Sequence, residues 1–275
     1  MSAVEAAERC LRDGDAAAAL THLQQAVRAK ADDAKLRIFL FQLLCVMGQW
    51  ERAGNQLDVA STLDPGALAM AQIYREALRC EVLRARVFEG KTAPMVLGEP
   101  EQWLALLIES LLVGAHGEMQ QSQSLRERAF DEAPACTGTL NGQRFTWIAD
   151  ADMRLGPVIE AVINGRYYWV PFERLTRVSL EEPEDLRDIV WAPAHFQLDN
   201  GGEAFALIPS RYAYSEKSAD PQIVLGRKTE WQDRGNEFFC GLGQRVLATD
   251  NGEVSLLDVR EIVLGDQAAA GEPQQ

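Results

Sequence analysis

The sequence predicts an α+β, multidomain fold, with N-terminal α-helical repeats over 1–134 followed by a small β-rich domain over 135–265. The first observation behind this is a period. Gly14 and Gly48 stand 34 residues apart, and Ala19/Ala53, Leu23/Leu57 and Ala26/Ala60 repeat at the same interval. A helix–turn–helix unit of that length cannot bury its apolar face alone and stacks on its neighbours. The second observation is a change of texture after Pro134. Gly and Pro become denser, alternation replaces the three-four spacing, and four of the six tryptophans fall there. The third is size, since 275 residues is long for one compact core. Stacked hairpins usually present a surface to another protein, so the first part of the chain points to a binding module.

The helical elements can be justified in order. Residues 16–29 carry Leu20, Leu23 and Val27 at spacings of three and four, a helical stripe between the Gly14-Asp15 turn and the Asp32-Asp33 break. Residues 36–47 are apolar on two faces, as expected of a helix packed between two others. Gly48 ends that helix, Trp50 begins the next, and Asp64-Pro65 stops it. The string Gly48-x-Trp50-x-x-Ala53-x-x-x-Leu57-x-x-Ala60-x-x-x-x-Pro65 resembles the second helix and turn of a tetratricopeptide repeat. A third copy is offset by 69 residues, where Gly117, Ala129 and Pro134 match Gly48, Ala60 and Pro65. Between them lie a long helix over 67–88, a Gly/Pro loop over 90–100 and an apolar helix over 103–113, read as a degenerate repeat with an insertion.

Beyond Pro134, strands are predicted over 144–148, 167–170, 205–208, 222–225, 245–248 and 254–257. Asn164-Gly165, Asn200-Gly201-Gly202 and Asn251-Gly252 supply hairpin-type turns. One helix is predicted over 156–162, with Pro157 in its first turn. Gly241-Leu-Gly243 reads as a tight turn between strands, and residues 266–275 as a frayed, flexible tail.

Charge and composition exclude several functions. The net charge is −14, divided as −5 before and −9 after residue 135, so no nucleic-acid partner is expected. No stretch approaches 18 unbroken apolar residues, and no basic start precedes an apolar run, so neither a membrane span nor a signal peptide is expected. Five cysteines without a CxxC pair fit a reducing cytoplasm. There is no GxSxG, P-loop or GxGxxG motif. His22, His116 and His195 lie in different elements, without metal-ligand spacing, and no cofactor is expected. His195 could act as a base, but no serine or cysteine near it reads as a nucleophile.

Residues 136–275 hold 11 arginines and two lysines. The planar guanidinium suits paired, partly buried bonding to carboxylates. Arg154, Glu160, Arg187, Asp188, Arg211, Glu230 and Arg245, with Trp191 and Trp231, therefore admit two readings. They either converge on a ligand in a polar cleft, as in an enzyme or small-ligand binder, or form structural pairs that pin strands and loops.

The strings that hold these residues carry a resemblance. They are Asp152-Met-Arg154-Leu-Gly156-Pro-Val-Ile-Glu160 and Asn164-Gly165-Arg-Tyr167-Tyr-Trp169-Val-Pro171-Phe. Next come Glu184-Asp-Leu-Arg187-Asp188-Ile-Val-Trp191-Ala-Pro193-Ala and Ile208-Pro209-Ser-Arg211-Tyr212. Leu225-Gly226-Arg227-Lys-Thr-Glu230-Trp231 and Gly241-Leu-Gly243-Gln244-Arg245 complete the set. In order and approximate spacing over 145–262 they resemble the ImpE family, also called TagJ, accessory proteins of bacterial type VI secretion. The resemblance implies a cytoplasmic, non-enzymatic adaptor. Such an adaptor binds the small sheath subunit (TssB or VipA) through a helix near that subunit's N-terminus, which links it to sheath handling by the ClpV unfoldase. It implies no catalytic residue.

A helical peptide would lie in the concave face built from the first helix of each hairpin. The candidate contacts are Val4 and Glu8, then Lys35, Ile38, Gln42 and Cys45, and then Leu104, Leu107 and Leu111. Ile38 and the leucines fit a core position equally well. A second expectation puts the partner on the β-rich part or its junction with the repeats, with Trp191 and Trp231 as anchors.

Overall fold

The structure is a computed structural model and describes residues 2–265; the tail expected over 266–275 lies outside them. Four helices open the chain, α1 (Ala3–Arg12), α2 (Ala16–Ala29), α3 (Ala34–Val46) and α4 (Trp50–Leu63). They pack as two hairpins, α1 on α2 and α3 on α4. Ser2 caps α1 in a reciprocal capping box with Glu5, and Asp15 and Asp33 cap α2 and α3 through their carboxylates.

The period in the sequence is the period of helix endings. Gly14 and Gly48 sit at φ +92° and +66°, the left-handed region that side chains resist. Gln49 N–H donates to Leu44 O at 2.9 Å and Gly48 N–H to Cys45 O at 3.0 Å, the paired bonds of a Schellman motif. Gly14 closes α1 in the same way. A Cβ on Gly48 would also press into the Glu216 side chain, 2.9 Å from its Cβ. Gly48→Ala is therefore expected to cost on the order of 1–2 kcal/mol, read as a lower melting temperature by circular dichroism. Gly142→Ala, also left-handed but facing open space, should cost less.

The middle of the helical part departs from the repeat. The long α5 (Leu68–Phe88) is followed by a loop containing the two-residue strand β1 (Met95–Val96) in place of a partner helix. Helices α6 (Gln102–Ala115) and α7 (Met119–Glu132) then form the third hairpin, which turns at Gly117.

The remaining chain is a mixed-sheet structure. Its first strands are β2 (Gly138–Leu140), β3 (Gln143–Phe145), β4 (Ile148–Asp150), β5 (Val158–Ile163), β6 (Arg166–Pro171) and β7 (Leu175–Leu180). After these come β8 (Trp191–Leu198), β9 (Glu203–Pro209), the short helix α8 (Pro221–Val224), β10 (Thr229–Asp233) and β11 (Phe239–Gly243). The last are β12 (Val246–Thr249), β13 (Gly252–Ser255) and β14 (Glu261–Leu264). Nine strands form one sheet in the order β1-β6-β5-β9-β8-β7-β14-β2-β3, and β1 pairs with β6 in parallel. Strands β13-β12-β4 and the β10–β11 hairpin make two smaller sheets.

The large sheet is buried on both faces at β5. Along β5, Val158 and Val162 join the helices in one core, whereas Ile159, Ala161 and Ile163 join a second core enclosed by the strands themselves. Trp191 and Ala192 divide between the same two cores. One set of alternate residues thus joins the sheet to the helices in a common apolar core.

Several expected elements are corrected. The helix over 156–162 is strand β5; both its faces are buried and Glu160 is its one polar residue, so the period-2 signal that marks a strand has no polar half. The strand over 222–225 is helix α8, started by Pro221 and capped by Asp220. The strand over 144–148 is broken into β3 and β4, and 254–257 ends in a turn of 3₁₀ helix. Gly241 and Gly243 lie inside β11, where Gly241 leaves room for the Tyr212 ring.

Candidate functional site

Within α5 the residues Tyr74, Ala77, Glu81, Arg84 and Phe88 recur at alternating intervals of three and four, so they share one face. Two of them are charged, and that face lies against the sheet. On β5, Glu160 points the same way as Val158 and Val162 and meets Arg84 there. Arg84 donates to Glu160 through Nε at 2.6 Å and Nη2 at 3.0 Å, a two-pronged pair in which Glu160 is fully buried. Arg245 donates to the same carboxylate from the other side and to Asp150 beyond it. The Tyr167 hydroxyl adds a third donor to Glu160 at 2.5 Å, and it accepts in turn from Trp169 Nε1 at 2.8 Å.

The network extends in both directions. Trp191 Nε1 donates to Glu81 at 2.9 Å, and the Trp191 ring packs between Tyr74 and Trp50 of the helices, 5.7 and 6.0 Å between centroids. Tyr212 OH donates to Asp150 at 3.1 Å. Asp152 accepts from Arg154 through both oxygens and from Gly241 N–H at 2.8 Å. The seam therefore holds four guanidiniums, those of Arg84, Arg154, Arg211 and Arg245, and four carboxylates, those of Glu81, Asp150, Asp152 and Glu160.

Burial and pairing divide the acids. Burial would raise the Glu160 pKa, but the Arg84 and Arg245 guanidiniums override it and hold the carboxyl down at about 2. For Asp150 burial prevails over Arg245 and lifts it to about 6. Burial also raises Glu81, against the pull of Arg84. Arg211 is drawn down to about 10 by burial, since its guanidinium bonds backbone carbonyls in place of an acid.

Those carbonyls register the sheet on the repeats. Arg211 Nη1 donates to Val46 O at 2.9 Å at the end of α3, and Arg227 Nη1 donates to Arg12 O at 3.0 Å at the end of α1. Arg12 and Val46 are equivalent repeat positions, 34 residues apart. A cation placed at a helix C-terminus satisfies its free carbonyls and opposes its dipole. Two arginines thus cap consecutive repeat units.

The arginines and acids expected to converge on a ligand do not form one open cleft. Glu160, Arg211 and Arg245 belong to the buried seam, with Trp191 beside them. Arg187 lies apart, over the Tyr74 ring and paired with Asp185 and Asp188. Glu230 pairs with Lys228 on the exposed β10–β11 hairpin, where Trp231 leans on Tyr212. Trp191 is core, not a surface anchor. Within the group, Arg154 and Glu230 line cavities.

Among the expected groove residues, Gln42, Cys45, Leu104 and Leu107 are buried, which corrects their assignment to a contact surface. Their helices pack on two sides, and these residues face inward. Glu8 and Lys35 are exposed, and Val4 and Ile38 are half-buried. Leu111 is half-buried against the helical core. His195 is exposed on β8, its ring 5.6 Å from that of Phe205. All five cysteines are free thiols. No described helix is long and apolar enough to cross a membrane, and no described cluster of His, Cys, Asp and Glu could hold a metal ion.

Glu81, Arg84 and Asp150 are not among the residues to which the sequence points, and Tyr212 is there only as part of the string over 208–212. Glu81 and Arg84 could have been found as two charges inside an otherwise apolar helical stripe.

Comparison with known proteins fits this division of the chain. The ImpE protein family profile matches residues 142–263, and the tetratricopeptide repeat profile matches residues 11–75. The type VI secretion system accessory component TagJ of Pseudomonas aeruginosa is 50% identical over 256 residues, 93% of this chain and 90% of that one. The crystal structure of a Vibrio parahaemolyticus protein superposes with a TM-score of 0.84 at 27% identity, covering 96% of this chain and 99% of the other. Most of the strings that carried the resemblance prove to be parts of the seam between repeats and sheet, and the chain belongs to the ImpE family, that of the accessory component TagJ.

Proposed function

We propose that the chain is a cytoplasmic, non-enzymatic adaptor of type VI secretion. It binds the small sheath subunit (TssB or VipA) through a helix near that subunit's N-terminus and so influences how ClpV handles the sheath. The observation that carries this reading is the near full-length, 50% identical relative named as a type VI secretion accessory component. The repeats over 11–75 are the part suited to gripping a peptide. In this reading 1–134 is the gripping unit and 135–265 its brace.

Geometry favours one rim of the repeats. The sheet part already occupies the C-terminal ends of α1 and α3. Val4 and Ile38, nearer the starts of those helices, are half-buried apolar residues that join neither core. Exposed Glu8 and Lys35 lie on the same helices. An amphipathic helix could place apolar side chains on Val4 and Ile38 and opposite charges on their neighbours.

The test is titration calorimetry with the small sheath subunit, intact and lacking its first helix. Binding should be lost on truncation. Ile38→Glu with Lys35→Glu should weaken binding by about tenfold or more while leaving the circular dichroism spectrum unchanged. Gln42 is a poor choice for this purpose because a charge there would enter the core. Unchanged affinity in the double variant would move the site off this rim, and equal binding of the truncated subunit would remove the helix as the ligand.

A further inference from the structure

A cavity of about 380 Å³ opens between the third helical hairpin and the β10–β11 hairpin. Its walls are largely apolar, formed by Phe88, Leu111, Met119 and Phe238, with the hydroxyl residues Ser110, Ser122 and Tyr214 among them. Three guanidiniums reach it, those of Arg126, Arg154 and Arg234, and no lining residue is acidic. In a chain with a net charge of −14, a pocket carrying three positive charges and no acid is a marked local reversal.

Arg126 is the informative member. It lies on the inner face of α7 and is only 5% exposed, with its guanidinium 3.8 Å from the centre of the Phe238 ring. No described residue accepts a hydrogen bond from it or pairs with it as an acid; its neighbour Glu127 is exposed and accepts from Gln123. A buried guanidinium keeps five donors that need acceptors. The ring face offsets part of its desolvation but takes none of those bonds. Arg154 enters from the opposite side, over the Phe88 ring at 4.8 Å, with one edge held by Asp152. Arg234 stands at the rim, exposed, and donates to Gln232 at 2.5 Å. Cys240 lines the cavity as a neutral thiol, because burial raises its pKa.

We propose that this cavity is a binding site for a carboxylate carried on an apolar or aromatic body, with Arg126 as its principal partner and Arg234 closing over it from the rim. A forked guanidinium matches a carboxylate edge with two parallel bonds, and Phe88, Leu111 and Phe238 receive the apolar part. The volume suits one bulky amino-acid residue or the end of a peptide. The site is separate from the rim of α1 and α3, so it stands or falls independently of sheath-subunit binding.

Calorimetry and melting temperature test it on the intact protein with N-acetyl-phenylalanine and its uncharged amide as probes. The acid should bind and raise the melting temperature, and the amide should bind about tenfold more weakly or not at all. Arg234→Gln, a surface change, should weaken the acid several-fold without altering the unliganded melting temperature. Arg126→Gln should abolish the preference for acid over amide. A peptide ending in Phe that binds more tightly than the free acid would assign the carboxylate to a polypeptide terminus; equal affinity would assign it to a small molecule. No binding of the acid at millimolar concentration, equal binding of acid and amide, or full preference retained in Arg234→Gln and Arg126→Gln would each overturn the proposal.

Discussion

Replacing Glu160 by glutamine should cost about 3–5 kcal/mol, the usual penalty for removing one partner of a buried ion pair. The side chain keeps its shape but loses its charge, leaving Arg84 and Arg245 facing each other with no counterion between them. Urea denaturation at pH 7 measures the loss. The pH profile identifies its origin. Glu160 is held at about 2 in the fold against an ordinary 4.5, so its contribution is complete above pH 4.5 and disappears as pH falls toward 2. Asp150, lifted to about 6 from 3.8, acts in the opposite sense: the fold holds its proton more tightly than the unfolded chain does, so stability rises as pH drops from 6 toward 4. Glu81, also raised, has the same sign as Asp150. The wild-type chain should therefore be most stable near about pH 4.5 and decline below it. Glu160→Gln should keep the gain between pH 6 and 4 and lose the decline below 4.5. A decline unchanged in the variant would show that other carboxylates govern acid unfolding.

Trp191→Ala should be comparably severe, about 3–5 kcal/mol, from the cavity left by a fully buried indole. It also strips Glu81 of its hydrogen bond from the indole. The location makes a second reading possible. The ring touches Trp50 and Tyr74 on the helical side while its backbone runs in β8, so the loss bears on both parts at once. Helical circular dichroism and tryptophan fluorescence, to which Trp147, Trp169 and Trp231 of the sheet part contribute, should shift to lower urea with a common midpoint. Separate midpoints would mean that the shared core does not couple the two parts.

The helical repeats were legible because their signal is local. Gly14 and Gly48 mark left-handed helix ends, and one residue type fits that conformation without strain, so the fold leaves its period in the sequence. The sheet was harder for the opposite reason. In β5 both faces are buried and only Glu160 is polar, which erases alternation; in β8, Pro193 argues against a central strand. That proline is tolerated because its carbonyl faces the frayed end of β7, where it accepts from Glu181 N–H at 3.2 Å, so only the single return bond is missing. For the charged residues, the types were informative and the partners were not. Arg154, Glu160, Arg211 and Arg245 were picked out as pairing residues, yet Arg84, the partner of Glu160, lies 76 positions earlier on a helix with many other charges. Nothing local distinguishes the one guanidinium that the tertiary packing drives into the seam. The same holds for Arg126.

The loop that interrupts the repeats also has a part to play at the rim of the large sheet. By laying Met95 and Val96 alongside Tyr168 and Trp169, it fills hydrogen-bonding positions along β6 that a second molecule could otherwise occupy. Removing the loop would uncover that border, so this departure from the repeat doubles as protection against self-association.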